Sequence, residues 1–147
     1  MRHTIFRGGV HPTPMKELSA NKPMQIHLAK GEMVFPLSQH IGKPAVPVVK
    51  KNDPVLAGQI IAKADGFVSA NIISYCSGTV KAIEPRLTSS GLMAPCIIVD
   101  NDGQYTMVEG IGQQTDPATL SHAQIIEKIQ AAGIIGLGGA GFKSTTS

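Results

Sequence analysis

The sequence predicts a mainly β domain of the α+β class, in which short strands follow an N-terminal arm and precede one helix. Three observations predict it. Between Gln25 and Tyr105 the apolar residues fall in short, β-branched runs separated by turn residues, the pattern of strands. Sixteen glycines and ten prolines in 147 residues supply the turns. From Ser121 onward the apolar spacing changes to the helical period. With no Trp, two Tyr and four Phe, the core must be aliphatic. A chain of 147 residues supports one domain with a core of its own.

Residues 1–24 are rich in Gly and Pro and read as a wrapping arm, with one helical turn at Pro14–Leu18. Strands are expected at Gln25–Leu28, Met33–Leu37, Ala45–Lys50, Gln59–Ala64, Phe67–Ile73, Gly78–Ile83, Cys96–Asp100 and Tyr105–Val108. Asp100-Asn101-Asp102-Gly103 is a turn by composition, and strand character is lost from Gly110 to Pro117. A helix then begins with Ser121 as N-cap, Gln124 at the capping-box position and Leu120 placed to staple against Ile125. Ile125, Ile126, Ile129 and Ala132 form its apolar face, and Gly133 ends it.

The stretch Val48–Ala62 is the most specific of the β region. Asn52 and Asp53 tolerate the left-handed conformation that a tight turn needs, Pro54 presets φ, and Gly58 lets the chain reverse. Ser74–Val80 gives a second turn into a strand. In this order the two elements resemble the half-motif of biotinyl and lipoyl carrier domains, which implies a barrel-sandwich hybrid over residues 25–109. Carriers attach their cofactor to a lysine at the exposed tip between those elements. Here the tip reads Asp65-Gly66-Phe67-Val68-Ser69-Ala70-Asn71, and Lys63 lies back in the preceding strand. The scaffold is kept, and the swinging-arm chemistry is not supported.

Charge and cysteine usage exclude several classes. A net charge of +3, with scattered basic residues and few rings, argues against a nucleic-acid partner. Cys76 and Cys96 have no C-x-x-C partner, and two ligands cannot assemble a zinc or iron–sulfur site, so no metal site is expected. They read as small buried hydrophobes of a reduced cytoplasmic chain, and whether they approach each other stays open. No stretch is long and apolar enough to span a bilayer, so membrane association must come through a partner. His11 and His40 have no i, i+4 histidine or acidic partner at ligand spacing, and the favoured reading is an imidazole N–H bonded to a loop carbonyl. Asp100 and Asp102 lack the glutamate of a calcium loop and read as turn formers. Lys43, Lys50, Lys51 and Lys63 offer a basic surface for an acidic partner, with solvated side chains as the plainer reading.

The end of the chain carries the chemistry. Gly136-Leu137-Gly138-Gly139-Ala140-Gly141-Phe142 is dense enough in glycine for several backbone N–H groups to converge on an anion, which suggests a phosphate-bearing cofactor. It fits G-x-G-x-x-G through Gly136, Gly138 and Gly141, but the long helix such a loop should open is missing. Residues 110–142 therefore read as a helix and the start of a second domain, and 143–147 as a non-native or truncated tail.

Arg7–Pro12, Pro36–Ala45, Phe67–Ala70 and Ala131–Phe142, in that order, resemble the N-terminal part of the RnfC family, one of the proteins of the Rnf electron-transport complex. The resemblance implies a peripheral subunit on the cytoplasmic side of the cell membrane, in a complex that passes electrons between NADH and ferredoxin and moves sodium ions or protons. By that resemblance Gly136, Gly138, Gly139, Ala140, Gly141 and Phe142 help wall an FMN and NADH pocket in the full-length parent. Its partners are other Rnf subunits and ferredoxin. Two 4Fe–4S clusters are expected in the parent, whose clustered cysteines are missing here. The family continues past Phe142 with Pro-Thr and the rest of the nucleotide domain, whereas this chain has Lys143-Ser144. The expectation is a scaffolding and docking fragment with no cofactor, no catalytic residue and no activity of its own, which pairs weakly with itself through its exposed patch. A soluble RnfC-like paralogue feeding another reductase and a stand-alone biotinyl- or lipoyl-like binding module are the alternatives.

Overall fold

A computed structural model of the chain describes residues 12–136 and Gly141. Seven strands form two antiparallel sheets. They are β1 (Glu32–Pro36), β2 (Val46–Pro47), β3 (Pro54–Val55), β4 (Ile60–Lys63), β5 (Ile72–Ile73), β6 (Gly78–Leu87) and β7 (Met93–Asn101). One sheet has the order β1-β7-β6-β3 and the other β2-β4-β5. The β6–β7 hairpin is the backbone of the fold, in register from Gly78 opposite Asn101 to Leu87 opposite Met93, with a bulge at Val80/Ala82.

The sheets close on one aliphatic cluster. Phe35 comes from β1, Ile61 and Ala62 from β4, Ile72 from β5, Val80 from β6, and Ile97 and Val99 from β7, with Leu37, Val49 and Cys76 from the connections. Cys96, Ile97, Ile98 and Val99 are all fully buried, so β7 is covered on both faces as befits the strand between β1 and β6. This curled, mostly strand architecture is that of a barrel-sandwich hybrid.

The local turn chemistry acts as the sequence predicts. Asn52 takes φ of 72°, the Asp53 carboxylate accepts from the Lys50 N–H at 2.7 Å, and the Asn52 N–H reaches across to Val80 O at 2.7 Å. Gly58 has φ of 87° and packs so closely on Ile111 that no side chain would fit. A single 3-10 turn stands at Lys16–Leu18. The one α-helix among the described residues, α1 (His122–Ala131), has the full capping box: the Gln124 N–H donates to Ser121 Oγ and the Ser121 N–H to Gln124 Oε1. Ile125, Ile126 and Ile129 are half-buried, so the apolar face is the one turned inward, although Ala132 at the C-cap is exposed.

Three expected strands come out differently. Residues 25–28 stay extended but pair with nothing in a sheet, with Met24 and Ile26 almost wholly exposed. The Phe67–Ile73 run forms a strand only at Ile72–Ile73, because long-range hydrogen bonds hold residues 64–71 as a loop. Around Tyr105–Val108 there is one isolated bridge, Ala57 to Met107, where Tyr105 turns out of extended geometry with φ of 55°.

Candidate functional site

Three stretches separated in sequence meet at one corner of the barrel: the loop Gln39–Lys43, the tip Ala64–Asn71, and the end of α1 with Gly133 and Gly141. His40 joins the first two. It is buried at 8% exposure, and its Nε2 accepts from the Ala70 N–H at 3.1 Å. Nε2 therefore carries no proton, which assigns the proton to Nδ1, 3.0 Å from Ile41 O. The imidazole N–H thus holds a loop carbonyl, as the sequence suggests, and the second nitrogen takes a role that sequence reasoning missed. No spacing rule announces an acceptor for an amide thirty residues on.

The tip itself is braced from several sides. The Ser69 hydroxyl donates to Lys43 O at 2.9 Å while accepting from the Asp65 N–H at 3.0 Å, and the Lys43 N–H donates to Val68 O at 3.0 Å. Lys43 also pairs with Asp65 at 2.5 Å, an exposed ion pair that contributes little to stability. Gly42, at φ of 97°, is pressed against Val68 so that a Cβ would strike Val68 O.

Asn71 links the tip to the helix. Its Oδ1 accepts from the Ala64 N–H at 2.9 Å and its Nδ2 donates to Ala131 O at 3.1 Å, satisfying a carbonyl of the last helical turn. Gly133, at φ of 63°, is the C′ residue and lies against Asn71 O with no room for a Cβ. A cleft of about 190 Å³ between Gln39, His40, Asn71, Gly133 and Ile135 marks the junction.

Of the glycine-loop residues, Gly136 and Gly141 are described; Gly138, Gly139, Ala140 and Phe142 lie outside the described residues, as does His11. Gly141 has φ of 67°, its carbonyl accepts from the Ile41 N–H at 3.1 Å, and a Cβ on it would come 3.4 Å from His40 Cα. Both ends of the segment from Gly133 to Gly141 are therefore moored on the barrel, beside the same histidine.

The remaining sequence candidates lie elsewhere. Cys76 and Cys96 are free and fully buried, and burial pushes both thiols above their ordinary range. Among the described residues no three His, Cys, Asp or Glu side chains come together as a metal site. Asp102 is a turn former: it accepts from the Gln104 N–H at 2.8 Å and from Ser77 Oγ at 2.7 Å, and these bonds, the backbone one foremost, lower its pKa. Lys63 stands in β4 opposite Val46, far from the role of a tip lysine. Among the described residues no helix is long and apolar enough to cross a membrane.

Comparison with known proteins agrees with this architecture. Residues 4–104 match the family model described as the RnfC barrel sandwich hybrid domain. Three relatives are themselves the RnfC-type components of Rnf complexes. The chain is 43% identical over 137 residues to the one from the proton-translocating ferredoxin:NAD+ oxidoreductase complex of Clostridium ljungdahlii, covering 93% of this chain and 30% of that protein. It is 35% identical over 142 residues to the one from the Na+-translocating ferredoxin:NAD+ oxidoreductase complex of Acetobacterium woodii, covering 97% and 32%. To the one from the ion-translocating oxidoreductase complex of Pseudomonas aeruginosa it is 43% identical over 139 residues, covering 93% and 18%. The chain thus spans less than a third of the length of these relatives.

Proposed function

The chain belongs to the RnfC barrel-sandwich hybrid family, and from that premise we propose that it is the N-terminal portion of the RnfC component of an ion-translocating ferredoxin:NAD+ oxidoreductase. Its role there is to scaffold and dock, on the cytoplasmic side of the membrane, against other subunits of the complex. The observation that carries this reading is that nearly the whole chain, barrel and glycine loop together, aligns with RnfC proteins at up to 43% identity. Relatives named for protons and for sodium ions match it comparably, so the barrel does not specify the coupling ion.

On this reading residues 1–24 are an arm, 25–109 the barrel, 110–142 the start of a nucleotide domain and 143–147 a tail. Gly136, Gly138, Gly139, Ala140, Gly141 and Phe142 form one wall of an FMN and NADH site that a longer polypeptide completes. The described residues fit such a wall: Gly141 takes a positive φ that favours glycine and lies too close to His40 to accept a Cβ without adjustment. When bound, the flavin would accept hydride from NADH; this chain would contribute backbone N–H groups toward phosphate and a flat approach to the ring. The two buried cysteines do not fit an iron–sulfur cluster, and the clusters of the parent belong to residues outside this chain.

The test is flavin titration. The purified 147-residue chain should be colourless and leave the fluorescence of micromolar FMN unquenched, while the full-length RnfC protein should carry flavin and reduce an artificial acceptor with NADH. Stoichiometric FMN binding by the 147 residues alone would overturn the placing of most of the pocket beyond Phe142. A full-length protein with no flavin would overturn the redox reading.

A further inference from the structure

Phe67 stands at the tip of the barrel with 80% of its surface exposed. An exposed phenylalanine on a slack loop folds back onto the nearest apolar surface, because burying the ring is worth about 2–3 kcal/mol. This one cannot, since the Ser69, Lys43 and Asn71 hydrogen bonds fix the loop on both sides of it. A rigid backbone that holds an aromatic ring out in solvent has the character of an interface anchor, which loses little entropy on docking. Ile41, at 40% exposure, lies on the neighbouring loop that Gly42 presses against Val68.

The position of Gly141 says what covers this surface. Its carbonyl is bonded to the Ile41 N–H, so whatever follows it in a longer polypeptide starts from the corner where Phe67 and Ile41 are exposed. The relatives continue for more than twice the length of this chain beyond the shared portion. We propose that Phe67, with Ile41, is the apolar anchor that docks the barrel tip onto the domain following the glycine loop, its occupant being an apolar socket of that domain. The inference rests on the reading of the chain as part of a longer RnfC protein.

Hydrogen exchange tests it, comparing the 147-residue chain with the full-length protein that contains it. Amides of residues 65–70 and of Ile41 should exchange roughly tenfold or more slowly in the full-length protein, and Phe67→Asp should abolish that difference while FMN content is unchanged. Exchange at Val80 and Ile97 reports folding, and Phe67→Ser is the milder variant if the aspartate disturbs the barrel. Equal exchange in both proteins overturns the inference whether or not flavin is bound, whereas absent flavin with protection intact overturns the redox reading alone. A coding frame that ends at Ser147, or a dimer of the 147-residue chain that Phe67→Asp dissolves, also overturns it, the second by making another copy the occupant.

Discussion

The Ala70 N–H donates to Nε2 of His40 at 3.1 Å across thirty residues of sequence, and through this bond the barrel tip and the loop that holds Gly141 become one unit. Removing the acceptor leaves a buried amide without a partner. His40→Ala should therefore destabilise the domain by about 1–3 kcal/mol, on top of the packing it loses. His40→Gln, whose Oε1 reaches the place of Nε2, should recover part of this. Urea unfolding of the three proteins checks the order, and a His40→Gln variant no better than alanine would count against the bond.

Gly133 and Gly91 both have positive φ, 63° and 77°, but only Gly133 has a neighbour in the way of a Cβ. Gly91→Ala should cost about 1–2 kcal/mol for the left-handed conformation. Gly133→Ala should cost about 1–3 kcal/mol more, because the overlap with Asn71 O pushes the helix off the barrel. Thermal melts of the two variants measure the difference.

Cys76 and Cys96 are each fully buried, and desolvation, the leading cause in both, raises their pKa. A thiol that stays protonated and covered is inert. Folded protein should give no reaction with a thiol-specific disulfide reagent near pH 7 and little more near pH 9, and two equivalents after denaturation. Rapid labelling of the folded chain would show that one of the two is accessible.

The carboxyl of Asp102 sits below its ordinary range, held by the Gln104 N–H and then by the Ser77 hydroxyl, and that of Glu32 is lowered by Lys81. A folded-state pKa below the unfolded one adds stability above the unfolded pKa, and that stability is lost as pH falls through the folded pKa. The urea midpoint should therefore drop from about pH 6 toward pH 3. Asp102→Asn keeps an acceptor for Ser77 and Gln104, so it should change little at neutral pH and make the acid limb shallower. Lys81 has the opposite sign: Glu32 raises its pKa, so its contribution is present at neutral pH and fades in alkali.

How much was legible varied with the range of the interaction. The capping box of Ser121 and Gln124 lies within four residues, and it formed as read. Phe67–Ala70 has the composition of a strand, yet its partners are Lys43, His40 and Asp65, and no pattern within the segment reveals that these will hold it as a loop. Met24 and Ile26 show the converse, an alternating apolar pattern for which the described fold offers no sheet.

The sequence by itself determined the class of fold, the aliphatic core, the turn at Asn52, the helix with both of its ends, and the family. These follow from φ preferences, apolar period and side-chain-to-backbone bonds a few residues apart, whose energies are nearly independent of the rest of the chain. Only the tertiary structure decided that the tip, the Gln39–Lys43 loop and the glycine loop share one corner, which nitrogen of His40 faces Ala70, and that Phe67 is held outward. Each of those depends on closing long loops, and the pairings that win are set by the whole fold competing for the same few donors and acceptors.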